Sequence, residues 1–124
     1  EWFIQEYAKR TKIDCEFTPE IEHLKLTPEK ELAVFRIVQE SLTNAAKYSG
    51  ANKICVSIKK TDENILVEIK DNGKGITEEE LRGTKSYGLL GMRERANIIG
   101  AELNIIGEPQ KGTTIMLQIK SETG

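Results

Sequence analysis

The sequence predicts an α+β fold: a two-layer sandwich of a mixed, largely antiparallel sheet covered on one face by helices. Three observations lead there. Two pairs of strand-like segments, 53–60 with 64–70 and 102–106 with 113–120, are each joined by a short turn-forming stretch. Two long segments with helix signals, 27–48 and 88–99, separate or precede those pairs. The order is not the regular strand–helix alternation of a doubly wound nucleotide fold. At 124 residues the chain is one domain with one core.

In order along the chain, residues 2–12 read as a helix with Phe3, Ile4, Tyr7 and Ala8 on one apolar stripe. Ile13-Asp14-Cys15-Glu16-Phe17 alternates as a short strand. Thr27-Pro28-Glu29-Lys30 opens a long helix: Thr27 can cap it, Pro28 fits the first turn, and Glu29 suits the positive end of the dipole. That helix is expected to run to about Tyr48 and stop near Ser49-Gly50, with Phe35, Val38, Leu42 and Ala45 facing the sheet. Strands at 53–60 and 64–70 flank a turn at Thr61-Asp62-Glu63. Residues 77–87 are polar and show no core pattern. Gly88 to Ile99 reads as a helix ended by Gly100, and the last two strands flank Gly107–Gly112.

Bulk composition narrows the function. Eighteen basic residues against twenty acidic ones give a net charge of −2, so no basic stripe points to nucleic acid. No apolar run approaches the roughly 20 residues of a membrane span, and no signal peptide is visible. Cys15 and Cys55 lack metal-ligand spacing and read as buried, reduced thiols. The chain opens on Glu1-Trp2 without a methionine and is expected to be part of a longer protein. It shows neither an internal repeat nor a low-complexity linker.

Three segments carry candidate chemistry. Asp71-Asn72-Gly73-Lys74-Gly75-Ile76 follows the alternating strand Ile65-Leu66-Val67-Glu68-Ile69-Lys70. A carboxylate at a strand's end can accept hydrogen bonds from a ligand's amino group, and the glycines permit close approach; Asp-Asn-Gly is also a hairpin-turn sequence. On the long helix Glu40, Asn44 and Lys47, spaced by four and three, share a face. That face could be a solvated surface or could hold a hydrated metal and a phosphate, since an Asn oxygen suits Mg²⁺. Finally, Gly88 starts a helix whose exposed N–H groups can bind an anion. The alternative there is a glycine cap followed by a Leu90–Met92 core contact, which leaves the interior Gly91 unexplained. Gly73-Lys74-Gly75 lacks the third glycine of a dinucleotide fingerprint, and the chain has no Gly-Lys-Ser/Thr phosphate loop.

Taken together, these segments resemble the ATP-binding catalytic domain of two-component sensor histidine kinases, within the superfamily shared with gyrase, mismatch-repair and chaperone ATPases. The resemblance extends over nearly the whole chain with the motifs in order. Residues 35–48 resemble the asparagine box, Asp71–Gly75 the first glycine box, and Lys111-Gly112-Thr113-Thr114 the last glycine-threonine box. Gly88-Leu89-Leu90-Gly91-Met92-Arg93-Glu94-Arg95 has the form typical of the nitrate-sensor-like subfamily.

The resemblance implies ATP and Mg²⁺ as cofactors and assigns roles by position. Asn44 would coordinate Mg²⁺, Glu40 would orient a metal-bound water, and Lys47 would face the phosphates. Asp71 would accept the adenine amino group, with Gly73, Gly75 and Ile76 around the base and Thr113 completing its polar edge. Gly88, Leu89 and Gly91 would offer backbone contacts beneath a short lid spanning about 77–87. Tyr48 departs from the subfamily, which usually has histidine there; a tyrosine can donate a hydrogen bond but supplies no cation near neutral pH.

The implied partners are a phosphoacceptor and dimerisation helical hairpin of the same parent protein and a downstream response regulator. This part of the chain is expected to be monomeric and cytoplasmic, the parent a homodimer that could be membrane-anchored. His23, the one histidine, lies in loop-like text and reads as a surface residue, not the phosphoacceptor. Two other functions fit parts of the pattern: a serine-phosphorylating anti-sigma-factor kinase of the same superfamily, and a nucleotide-free adaptor.

Overall fold

The computed structural model describes residues 14–19, 27–45, 50–61, 64–75, 77 and 89–120. These form β1 (Asp14–Pro19), α1 (Pro28–Asn44), β2 (Lys53–Thr61), β3 (Asn64–Asp71), α2 (Leu89–Ile98), β4 (Glu102–Glu108) and β5 (Gly112–Lys120). The expected helix at 2–12, His23, Lys47, Tyr48, Ile76, Gly88 and all of the 77–87 lid except Thr77 lie outside the described residues.

The five strands make one sheet in the order β1-β2-β3-β5-β4. β1 runs parallel to β2, while the β2–β3, β3–β5 and β4–β5 pairs are antiparallel. The sheet is therefore mixed and largely antiparallel, as the sequence predicts. A parallel neighbour needs a crossover connection, and α1 lies in the chain between β1 and β2.

Strict alternation decides which sheet face is covered. Along β3, Ile65, Val67 and Ile69 are buried, as are Ile54 and Val56 on β2 and Ile115, Leu117 and Ile119 on β5. Register stacks them across strands: Val67 pairs with Ile58 and Leu117, and Ile69 with Val56 and Ile115. Onto this face pack Ile37, Leu42 and Ala45 of the first helical segment and Met92 and Ala96 of α2, closing one core. The opposite face presents residues such as Lys59, Lys70 and Gln118, all exposed.

α1 begins as its sequence dictates. Thr27 is extended at φ −67° and ψ 157° and its Oγ1 accepts from the Lys30 N–H at 3.2 Å. Pro28 opens the first turn and Glu29 and Glu31 stand near the positive end of the dipole. Of the expected apolar stripe, Val38, Leu42 and Ala45 do face the core and Phe35 does not. Phe35 is 42% exposed, and the buried line is Ala33, Ile37, Ser41, Leu42 and Ala45 with Val34 and Val38 beside it. Phe35 lies two residues from the fully buried Ile37, about 200° around the helix axis, so the two cannot share a face.

On α2, likewise, Met92 is fully buried but Leu90 is half exposed, so only one of that pair reaches the core. Cys55 is reduced but half-buried, because it alternates with Ile54 and Val56 and so points away from the helices. Its thiol donates to Glu16 Oε2 at 3.3 Å, and Glu16 in turn lies 3.8 Å from Lys53 Nζ.

Leu117 is fully buried between β3 and β4, so Leu117→Ala should cost about 2–5 kcal/mol in urea unfolding. Ile106, half exposed on the outer face, should lose no more than about 0.5 kcal/mol on truncation to alanine. Equal costs at the two positions would show that the core is not where the alternation places it.

Candidate functional site

Asp71 is the last residue of β3, opposite Ile54 of β2, and its half-buried side chain turns back over the following loop. Oδ1 accepts the N–H of Gly73 at 2.9 Å and the N–H of Thr113, on β5, at 3.3 Å. One carboxylate thus joins the glycine loop to a strand far along the chain. With those two donors on Oδ1, Oδ2 is the oxygen available to an incoming donor.

The loop is held from both sides. Asn72 Oδ1 accepts the N–H groups of Asn52 and Lys53 at 3.0 Å each, and its Nδ2 donates to Asn52 Oδ1 at 2.7 Å. Across from it, the Gln110 N–H donates to the Lys74 carbonyl at 2.9 Å. Gly75 has φ +84°, and any side chain there would strike the carbonyl of Glu108. Gly112 has φ +125°, and a side chain there would strike the carbonyl of Asp71. Both glycines are therefore required by close backbone packing within the chain as well as by backbone conformation.

Sequence reasoning missed Asn72 and Gly112 as builders of this site. The asparagine beside the carboxylate and the glycine before Thr113 were visible, but the contacts they make span chain separations that no local pattern reports.

A second group lies on α1. Glu40 and Asn44 stand one turn apart, both half-buried, and Asn44 Oδ1 is enclosed by protein. Between them Ser41 is buried: its hydroxyl donates to the Ile37 carbonyl at 2.8 Å and approaches Met92 Sδ at 3.6 Å. That contact packs α2 against α1. The structure thus assembles Asp71, Gly73, Gly75 and Thr113 in one place, while Glu40 and Asn44 lie one turn apart on α1, which packs on α2 through Ser41. Lys47, Ile76 and Gly88 lie outside the described residues.

The donor set suits a hard cation poorly served by protein alone. Among the described residues no three His, Cys, Asp or Glu side chains gather as a metal cluster. An enclosed amide oxygen with a carboxylate one turn away matches Mg²⁺, which keeps several waters and takes few protein ligands.

Burial pushes the Asp71 carboxyl above its ordinary value of 3.8, and the N–H groups of Gly73 and Thr113 pull it part of the way back. A raised folded-state value means the native state binds more protons than the unfolded chain between the two values. Stability therefore falls as pH rises through that window, and the cost persists at neutral pH. Asp71→Asn keeps an oxygen for both N–H donors and removes the charge. The variant should be at least as stable as the parent at pH 7, and its advantage should vanish as the pH falls below the ordinary carboxylate value. Urea midpoints across that range test this; a variant that loses stability relative to the parent as pH rises would contradict it.

Comparison with known proteins gives concordant results. Residues 29–123 match the family model described as histidine kinase-, DNA gyrase B- and HSP90-like ATPase. The signal transduction histidine-protein kinase/phosphatase DegS of Bacillus subtilis is 37% identical over 117 residues, covering 93% of this chain and 30% of that protein. The sensor protein VraS of Staphylococcus aureus is 38% identical over 104 residues, covering 84% of this chain and 30% of its own length. The chain thus spans about a third of the length of these curated relatives. The histidine kinase domain of the blue-light activated kinase EL346 from Erythrobacter litoralis superposes with a TM-score of 0.82 at 19% identity, over 96% of this chain and 58% of that one. At that identity the likeness speaks for the fold.

Proposed function

The chain belongs to the histidine kinase-, DNA gyrase B- and HSP90-like ATPase family, and on that premise we propose that it binds Mg-ATP and donates the γ-phosphoryl group to a histidine on a separate dimerisation domain. The observation that carries the reading is the Asp71 carboxylate, fixed at the end of β3 by two backbone N–H groups with Oδ2 left for a ligand.

Each part then has a chemical task. Asp71 accepts the exocyclic amino group of adenine, and the loop through Gly73 and Gly75 forms the wall beside the base, with Thr113 at its polar edge. Asn44 would hold Mg²⁺ through Oδ1 and Glu40 would accept from one of its waters; when bound, the cation supplies charge neutralisation on the phosphates. Lys47 and the N–H groups at the start of α2, about Gly88, Leu89 and Gly91, take the phosphate oxygens. Ile76, outside the described residues, would border the base. The bond from the β,γ-bridging oxygen to the γ-phosphorus breaks as the acceptor imidazole nitrogen bonds to that phosphorus, and ADP leaves. Such a transfer depends on positioning and charge stabilisation, so no protein nucleophile is needed in this domain.

The partners in this reading are a phosphoacceptor hairpin of the same parent protein and a response regulator, with the reaction in the cytoplasm. Relatives of this chain carry the names sensor protein and signal transduction kinase, which supports placing it in two-component signalling.

Base choice tests the central assignment. Guanine presents a carbonyl oxygen where adenine presents an amino group, and an ionised Asp71 can only accept. Asp71→Asn should weaken ATP and narrow the preference for ATP over GTP, because its amide can turn a donor outward. An unchanged preference in competitive binding would reduce Asp71 to a turn residue.

The metal assignment has its own test. Asn44→Ala should remove most of the Mg²⁺ enhancement of ATP binding in calorimetry while the circular dichroism spectrum stays that of the parent. Equal Mg²⁺ dependence in both proteins would exclude Asn44 as the ligand.

A further inference from the structure

β3 leaves the sheet abruptly. Its last ladder pair is Asp71 with Ile54, and residues 72–75 already belong to the glycine loop. Strand alternation puts Asp71 on the side of Ile65, Val67 and Ile69, the face that the helices cover. How the chain departs from the sheet therefore decides how the carboxylate is presented.

An amide side chain takes over where the ladder stops. The Asn72 N–H still donates to the Lys53 carbonyl at 3.2 Å. Its Oδ1 accepts the N–H groups of both Asn52 and Lys53 at 3.0 Å, and its Nδ2 donates to Asn52 Oδ1 at 2.7 Å. Both polar atoms of the side chain are thus spent on β2 and the residue before it. The side chain satisfies N–H groups that a further strand residue would otherwise have met, and the backbone is released to turn.

The anchored residue sits between the two that matter for the base. The Gly73 N–H reaches back past Asn72 to Asp71 Oδ1 at 2.9 Å. That short closure has Asn72 at its middle, so holding Asn72 holds the carboxylate. Oδ1 is then occupied by Gly73 and Thr113, and Oδ2 is left for a ligand. With the closure undone, the terminal torsion of the aspartate is soft and either oxygen can turn toward the ligand.

We propose that Asn72, clamped by Asn52, is a positioning residue for base recognition, holding the Asp71 carboxylate in the orientation that selects an amino-bearing purine. The inference rests on the nucleotide reading and deepens it, by naming the residues that set its selectivity. Both asparagines act through Asp71, not on the ligand. They are exposed, so water competes for each bond and the effects are moderate.

Competitive binding of ATP and GTP with Mg²⁺ present tests the pair. Guanine presents a carbonyl oxygen where adenine presents an amino group, so a carboxylate free to turn favours adenine less and repels guanine less. Asn72→Ala should weaken ATP roughly tenfold and leave GTP near its parent affinity, narrowing the preference by the same factor. Asn52→Ala removes only the bond from Nδ2 and should narrow it about two- to fivefold. Asn52→Asp keeps an acceptor for Nδ2 and should restore the parent preference. The double alanine variant should lose no more than Asn72→Ala alone, because Asn52 acts only through Asn72. Asn52→Ala keeps both N–H bonds to Oδ1, so it carries the comparison if Asn72→Ala does not fold. A merely structural role would weaken ATP and GTP in step, and that result overturns the proposal. So does a preference that survives both alanine variants, or an Asn52→Asp that behaves like Asn52→Ala. A parent protein with no preference for ATP over GTP overturns the Asp71 assignment beneath it, whereas a parent with that preference and indifferent asparagines overturns this inference alone.

Discussion

The carbonyl of Asp71 occupies the space that a side chain at Gly112 would need, and the carbonyl of Glu108 does the same for Gly75. Two backbone stretches remote in sequence are in direct contact there, and much else follows from it. Thr113 can donate to Asp71 Oδ1 because its N–H is brought to the end of β3 by that contact. The same closeness holds β5 against β3, so that Val67 faces Leu117 and Ile69 faces Ile115 across the ladder. A slip of one residue would turn every one of those side chains to the outer face. Site geometry and core register are thus one constraint seen at two ends of a strand pair.

Much of this architecture was legible in the sequence because it is written in short-range patterns. Thr27-Pro28-Glu29 marked the start of α1, and the alternation of Ile65, Val67 and Ile69 marked a half-buried strand. Asp71 was legible because a carboxylate at a strand's end before glycines is locally odd. What failed was the placing of single residues around an element's axis. Phe35 was grouped with the core by its hydrophobicity, yet the phase of α1 is set by Ile37 and Leu42, which Phe35 cannot join. Cys55 was placed inside for the same reason, although strand alternation sends it outward. Asn72 and Gly112 went unread because their roles exist only once β2, β3 and the β4–β5 turn have met.

The chemistry of the site has a direction. Acceptor character is concentrated at Asp71, whose burial raises its pKa while two N–H groups orient it. Donor and positive character is concentrated at the first turn of α2, with its free N–H groups and no acidic side chain. A nucleotide has the complementary polarity, an amino-bearing base at one end and an anion at the other. In the proposed reading this asymmetry fixes which way round the ligand lies before any single contact is optimised.

Asp71 and Thr113 are joined by a hydrogen bond across 42 positions of sequence, and β5 is the last of the described strands. During synthesis the chain emerges from the ribosome in order, so α1, β2 and β3 leave first with the carboxylate of Asp71 already present but its strand partner still untranslated. The adenine end of the proposed pocket therefore cannot be finished until β5 has come out and inserted between β3 and β4. A nascent chain halted before residue 113 would carry most of the recognisable motifs and still lack a wall for the base. Competence to bind nucleotide would then arrive late and abruptly, as a report that the sheet has closed.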